Sequence, residues 1–347
     1  MKEQLDILIP EFSLDSQRPL IVQTFDRVCT ESLAIPLGRI TQVSSTINED
    51  GTPFQYSLSL GRAAPPRLQF LGEVSSPDSS NAERMALSRE RIRGLASLLR
   101  AEGALAETFS LIDQLAPPNN RDLLLDPAGA FWIGASFSTS ESASLRVYVN
   151  GKWGSEAKMW ERLARFAAHF GWKQEWQSVT PLLHTMQPLG TAISLGRNGL
   201  GGRVYLSAYG NTLGYYEHLA EAAIGRECRE ILLQFAQVFF GDARQYPTRS
   251  VVCSFGLDSK GTDFKFEVCG HCLFDSDEQV REKCLEWLGL IGIDPTIYLR
   301  MLETVSGGRL SKKKVDLHSF LGFGLRRDEV HSTIYLKPRM SKSNDDS

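Results

Sequence analysis

Two short runs pair a cation with a phenol at the same spacing: Arg146-Val147-Tyr148-Val149 and Arg203-Val204-Tyr205-Leu206. Alternate residues of a β-strand project to one face. Arg and Tyr therefore share a face in each run, and Val147, Val149, Val204 and Leu206 fill the other. A fixed planar cation beside a phenol suits an anion, phosphate above all. Two further strands carry a cation at the matching place: Arg67 in Arg67-Leu68-Gln69-Phe70, and Lys265 in Phe264-Lys265-Phe266-Glu267. Taken singly, each is an ordinary surface charge on an amphipathic strand. Their recurrence makes Arg67, Arg146, Arg203 and Lys265 a candidate ring around one ligand. Unpaired cations in a closed interior would be costly, so that ligand would have to be polyanionic. Tyr148, Tyr205 and Tyr335 hold one strand position, and Tyr209 shares the face of Tyr205. A phenol can donate to phosphate, and its ring face can stabilise a carbocation. Tyrosine is also common in strands for packing reasons alone.

These residues lie on five predicted β-hairpins. They pair Pro53–Leu60 with Arg67–Val74, Ala130–Ser138 with Ser144–Asn150, and Thr191–Gly196 with Gly202–Tyr209. The last two pair Arg249–Gly256 with Asp263–His271 and Val315–Leu325 with His331–Pro338. Each joins two alternating runs through a turn rich in Gly, Pro, Ser, Asp or Asn. Helical periodicity fills the intervals. It covers Ala82–Ala101, Ser155–Phe170, Leu213–Phe240 with a break near Gly225, Ser276–Leu290 and Pro295–Val305. The chain is thus an ααββ unit used about five times. Five sequential hairpins predict ten antiparallel strands. Closure into a barrel removes the two exposed edges an open sheet would have. Ten strands leave a lumen. The expectation is an α+β fold: one ten-stranded antiparallel β-barrel ringed by helices, with the Arg/Tyr face lining the lumen. Residues 1–340 form one domain in this reading, and 341–347 a disordered tail.

Composition excludes several classes. The net charge is −3 over 347 residues, which argues against nucleic acid or an anionic membrane as partner. No apolar run approaches transmembrane length, and the first residues do not show the basic-then-apolar pattern expected of a signal peptide. Six scattered cysteines read as reduced thiols in a cytoplasmic protein. Cys269-Gly270-His271-Cys272 lacks a second half at zinc spacing, so strand-end packing is the reading there. The glycines of 196–202 join two strands and do not follow the dinucleotide-binding pattern. Neither a P-loop nor a G-x-S-x-G nucleophile elbow occurs. No Asp-Asp-x-x-Asp run is present to clamp a diphosphate through metal.

On these residues the chain resembles aromatic prenyltransferases of the PT-barrel fold, on the dimethylallyltryptophan synthase (indole prenyltransferase) branch. The resemblance spans roughly residues 51 to 338. Thr52-Pro53-Phe54-Gln55-Tyr56-Ser57 resembles that family's first strand, Thr-Pro-x-Glu-x-Ser. Arg67 falls on its first diphosphate-binding Arg. Arg146 with Tyr148 falls on a Lys-x-Tyr pair, and Arg203 with Tyr205 on the end of an Arg-x-Lys-x-Tyr strand. Lys265 matches a cation of the fourth hairpin. His318-Ser319-Phe320 and Ser332-Thr333-Ile334-Tyr335-Leu336 resemble the closing hairpin. Departures are present. Gln55 stands where the family carries the Glu that accepts the indole N–H. Gly201, Glu267 and Phe320 replace an Arg and two Tyr, and no Lys occupies Phe131–Ser138.

The resemblance implies transfer of a prenyl group from an allylic diphosphate to an aromatic small molecule or peptide. It implies Arg67, Arg146, Arg203 and Lys265 on the diphosphate. It also implies Tyr148, Tyr205 and Tyr335 around the allylic cation, Gln55 on the acceptor, and no metal requirement. A monomer or homodimer is expected. The second reading compatible with the lost tyrosines is a non-catalytic lumenal binder of an anionic, lipid-like ligand.

Overall fold

In a computed structural model, the described residues are 1–34, 45, 47–73, 80–116, 131–197, 199–208, 210–241, 251–258, 261–326 and 329–338. Ten strands close into one barrel, each hydrogen-bonded to its neighbours in antiparallel register. They are β1 (Phe54–Gly61), β2 (Arg67–Glu73), β3 (Phe131–Phe137), β4 (Ser144–Asn150) and β5 (Met186–Gly196). They continue with β6 (Gly199–Ala208), β7 (Val251–Asp258), β8 (Gly261–Cys269), β9 (His318–Arg326) and β10 (Glu329–Leu336). Tyr56 opposite Leu336 and Leu58 opposite Ile334 join the last strand to the first. The predicted closure therefore holds, and all five hairpins occur in place.

Alternation decides the faces. Phe54, Tyr56 and Leu58 of β1 are fully buried outside the barrel wall, where Phe25 of the helix Arg18–Ala34 meets Phe54 and Phe70 edge-on at 5.4 Å. Gln55, Ser57 and Ser59 consequently point inward. Against β8 and β9 the helix Arg226–Phe240 lays Ile231, Leu232, Phe235 and Phe239 on the wall. Phe235 meets Phe266 of β8, Phe323 of β9 and Trp287. Burying one such aromatic is worth about 1.5–3 kcal/mol. This outer layer, rather than the polar lumen, holds the barrel together.

Helix boundaries follow local chemistry. The predicted Ala82–Ala101 helix runs Asn81–Leu98, with Ser80 and Glu83 forming a capping box. It stops early because Arg100 adopts a left-handed backbone, φ 55°. The predicted Ser155–Phe170 helix is Glu156–His169, capped by Ser155. The break in Leu213–Phe240 falls at Gly225, φ 133°, a conformation L residues avoid. β5 begins five residues before its predicted start, because the chain absorbs Pro188 through a bulge at Leu189. The 117–120 loop, Tyr209 and the 341–347 tail lie outside the described residues.

Candidate active site

Cross-strand register fixes what faces the lumen. Arg146 is paired with Gly134 and Ser194, Arg203 with Ala192 and Gly256, and Lys265 with Ser254 and Gly324. A large side chain thus stands repeatedly beside a small one. At two of these glycines any added side chain would force a neighbouring side chain to move. A Cβ on Gly256 would lie 2.5 Å from Arg203 Nη2, and one on Gly324 2.3 Å from the His331 ring.

Arg146, Arg203 and Lys265 converge in the same interior, close enough for each to influence the others' ionisation. Arg146 Nη1 donates to Gln69 Oε1 at 3.0 Å. Arg203 Nη1 donates to Ser254 Oγ at 3.0 Å, and Nη2 grips both oxygens of Asp263 at 2.5 and 2.6 Å. Lys265 Nζ lies 2.7 Å from the Tyr335 hydroxyl and 2.6 Å from Glu267 Oε1, with the Tyr335 ring 4.8 Å away. Arg67 sits at the mouth of the barrel, a quarter exposed, paired at 2.6 Å with Glu141 on the β3–β4 turn.

Burial shapes the electrostatics. It depresses Lys265 to about 8, with Glu267 opposing the shift and Arg203 and Arg146 reinforcing it. Burial also disfavours the Arg203 charge, but Asp263 outweighs it and the guanidinium is held more strongly protonated. Arg146 is raised as well, burial being overcome by the phenols of Tyr148 and Tyr205. Tyr205 and Tyr335 are pushed well above the usual phenol range, chiefly by burial. Both remain neutral hydrogen-bond donors at neutral pH.

An aromatic stripe continues the site. Trp132 and Tyr148 have centroids 6.2 Å apart, and Tyr148 and Tyr205 6.0 Å. Gln55 is nearly inaccessible, and its amide nitrogen donates to Ser319 Oγ and to Asn48 Oδ1. Asn48 is anchored in turn on the Thr52 and Phe54 carbonyls at 2.8 and 2.9 Å. The donor half of the Gln55 amide is committed, and its carbonyl oxygen is left to accept.

Comparison with solved structures places the fold. No protein-family model and no curated protein matches the chain. A 6-dimethylallyltryptophan synthase from Micromonospora olivasterospora, in complex with DMASPP and Trp, matches with a TM-score of 0.83 at 19% identity, covering 96% of this chain and 95% of that one. A 5-dimethylallyl tryptophan synthase from Streptomyces coelicolor, also with DMASPP and Trp, matches at 0.82 and 21% identity, over 97% and 93%. AnaPT from Neosartorya fischeri matches at 0.73 and 12% identity, over 97% and 91%. The chain has the PT-barrel fold.

Within this PT barrel the expected cation ring needs one correction. Its members are not four unpaired charges. Asp263 neutralises Arg203, Glu267 neutralises Lys265, and Glu141 meets Arg67. The physical reason is the cost of burying a lone cation. Sequence reading noted Glu267 only as a lost Tyr and passed over Asp263. Yet Asp263-x-Lys265-x-Glu267 alternates on one strand face, and that period could have exposed the pairing. Gln69, Trp132 and His331 were also missed. His331 is depressed to about 4 by burial, against Asp263 and together with Lys265, Arg203 and Arg67. It is therefore neutral among the cations at neutral pH.

No described helix is long and apolar enough to cross a membrane.

Proposed function

We propose that this protein is an aromatic prenyltransferase. It moves a prenyl group, dimethylallyl in the first instance, from an allylic diphosphate to an indole-containing acceptor. The observation that carries the reading is the convergence of Arg146, Arg203 and Lys265 with Tyr148, Tyr205 and Tyr335 in one barrel lumen. The ternary complex of prenyltransferase PriB, of the same fold at 18% identity and a TM-score of 0.80, holds L-tryptophan and dimethylallyl thiolodiphosphate.

The proposed chemistry is dissociative. Arg146, Arg203 and Lys265, with Arg67 at the mouth, stabilise the leaving diphosphate, so catalysis is chiefly electrostatic. The rings of Tyr148, Tyr205 and Tyr335 flank the allylic cation and exclude water. The electron-rich ring attacks the cation, and loss of its proton to a base restores aromaticity. The Gln55 carbonyl accepts the acceptor's N–H. Protein cations supply the charge that an Asp-bound metal would otherwise supply, so no metal is needed for turnover.

The test is direct. Purified protein with dimethylallyl diphosphate and a panel of tryptophan, indole peptides and phenols is expected to yield a product heavier by one dimethylallyl unit. Tight binding of the diphosphate with no transfer to any acceptor would instead mark a non-catalytic lumenal binder.

A further inference from the structure

We propose that Cys269, His271 and Cys272 form a binding site for a thiophilic divalent cation of the zinc class, with Glu49 orienting the histidine. The site is separate from the diphosphate-facing cations. It lies at the barrel end where β8 finishes, where β10 gives way to Lys337, and where the segment before β1 arrives. The sulfur and ring-nitrogen atoms of the three residues all fall within 4.8 Å of one another. Cys269 Sγ and Cys272 Sγ are each 3.6 Å from His271 Nε2. A tetrahedral ion with metal–sulfur bonds of about 2.3 Å and a metal–nitrogen bond of about 2.05 Å puts sulfur and nitrogen about 3.6 Å apart. Two sulfur–nitrogen edges of a coordination tetrahedron are therefore already set.

The fourth residue comes from far away in sequence. Glu49 Oε2 contacts His271 Nδ1. A carboxylate on the ring nitrogen opposite the metal is the usual means of fixing the tautomer of a ligating histidine. Glu49 is itself held by Lys337, 3.5 Å away. Cys269 Sγ also approaches Nδ1, at 2.9 Å. A small turn of the ring toward Nε2 ligation frees that sulfur and leaves Nδ1–H to Glu49. Cys269 is buried while His271 and Cys272 are partly exposed. The cation thus has an approach from solvent, and water takes its fourth position. On binding, both thiols lose their protons to solvent, so two thiolates balance one divalent charge. Spacing alone could not reveal the site: the motif supplies three donors from four consecutive residues, and the orienting carboxylate lies 222 positions earlier.

The test uses the full-length reduced protein. One equivalent of cobalt(II) is expected to give thiolate-to-cobalt charge-transfer bands in the near ultraviolet and the visible bands of a tetrahedral ion. Zinc should displace it and protect Cys272 from alkylation. Cys272→Ser and His271→Ala should abolish the charge-transfer spectrum or shift it away from two-thiolate ligation. Glu49→Gln should weaken cobalt affinity by about 10- to 100-fold. Zinc protection of Cys272 is read on the unaltered chain, so it decides the matter even if a variant fails to fold. The proposal is overturned if the reduced chain takes up no stoichiometric cobalt through thiolate, if zinc leaves Cys272 alkylation unchanged, or if Cys272→Ser binds as tightly as the parent. Isolation of Cys269 and Cys272 as a disulfide that reduction does not convert to a zinc-binding form would likewise overturn it, in favour of a redox pair.

Discussion

Asp263→Asn should tighten diphosphate binding while weakening the unliganded fold. Asp263 accepts both contacts from Arg203 Nη2, at 2.5 and 2.6 Å, and the pair is largely buried, 18% and 10% exposed. A diphosphate bound to the same guanidinium would bring its own negative charge within about 5 Å of that carboxylate. At an effective dielectric of about 20 the repulsion is about 3 kcal/mol. Partial exposure and rearrangement reduce it to about 1–2 kcal/mol, or roughly tenfold in affinity. The asparagine keeps an oxygen for Arg203 but removes the countercharge, which costs the empty protein about 3 kcal/mol, the low end for breaking a buried pair. Calorimetric titration with dimethylallyl thiolodiphosphate should therefore show a Kd about tenfold lower. The thermal midpoint should fall without ligand and rise further on ligand addition than in the parent. Arg203→Ala should weaken diphosphate binding in both the parent and the Asp263→Asn background. Weaker or unchanged diphosphate binding in Asp263→Asn, with the fold intact, would refute a diphosphate role for Arg203.

Four further outcomes are expected. Arg146→Ala should lower turnover by roughly two orders of magnitude, since one charged hydrogen bond in a dry site is worth about 2–4 kcal/mol; a kcat within a few-fold of the parent would remove Arg146 from the diphosphate site. Lys265 is depressed to about 8, so kcat/KM for the donor should fall as pH rises through about 8 and Lys265 loses its charge, and Lys265→Gln should flatten that limb. Gln55→Ala should raise the acceptor KM several-fold and leave the donor KM nearly unchanged, because a neutral hydrogen bond is worth about 0.5–1.5 kcal/mol; an effect confined to the donor would sink the assignment. Turnover at low temperature should survive excess chelator, and loss restored specifically by magnesium would show that the lumenal cations do not suffice.

The Lys265 shift also bears on stability. The unfolded chain keeps that proton up to about 10.5, while the folded chain releases it near 8. Between those values the unfolded state binds more protons, so this group adds stability as pH rises through the window. Activity and stability should therefore move in opposite directions across alkaline pH on account of one side chain. Such an opposition is what the proposed diphosphate role requires of Lys265: a buried charge that costs the fold and serves the ligand.

Much of the barrel could be read from period alone. Phe54, Tyr56 and Leu58 alternate with Gln55, Ser57 and Ser59, and a two-residue period leaves only one way for such a strand to face a helical layer. The same period put Arg146 with Tyr148 and Arg203 with Tyr205 on one side. It could not tell which charges neutralise one another, because that depends on register between strands. Arg203 meets Asp263 across β7, through the space left by Gly256. That contact joins residues 60 positions apart, and no local pattern ranks it above its alternatives. Small residues carry this hidden part of the design. Gly134, Gly256 and Gly324 stand beside Arg146, Arg203 and Lys265 in the ladder. A side chain at Gly256 would meet Arg203 and Asp263 at 2.5–2.6 Å, so it would have to displace that ion pair. On the proposed function, the lumen needs its cations, the carboxylates that offset their burial when no ligand is bound, and a glycine at 256 that leaves room for the Arg203–Asp263 pair.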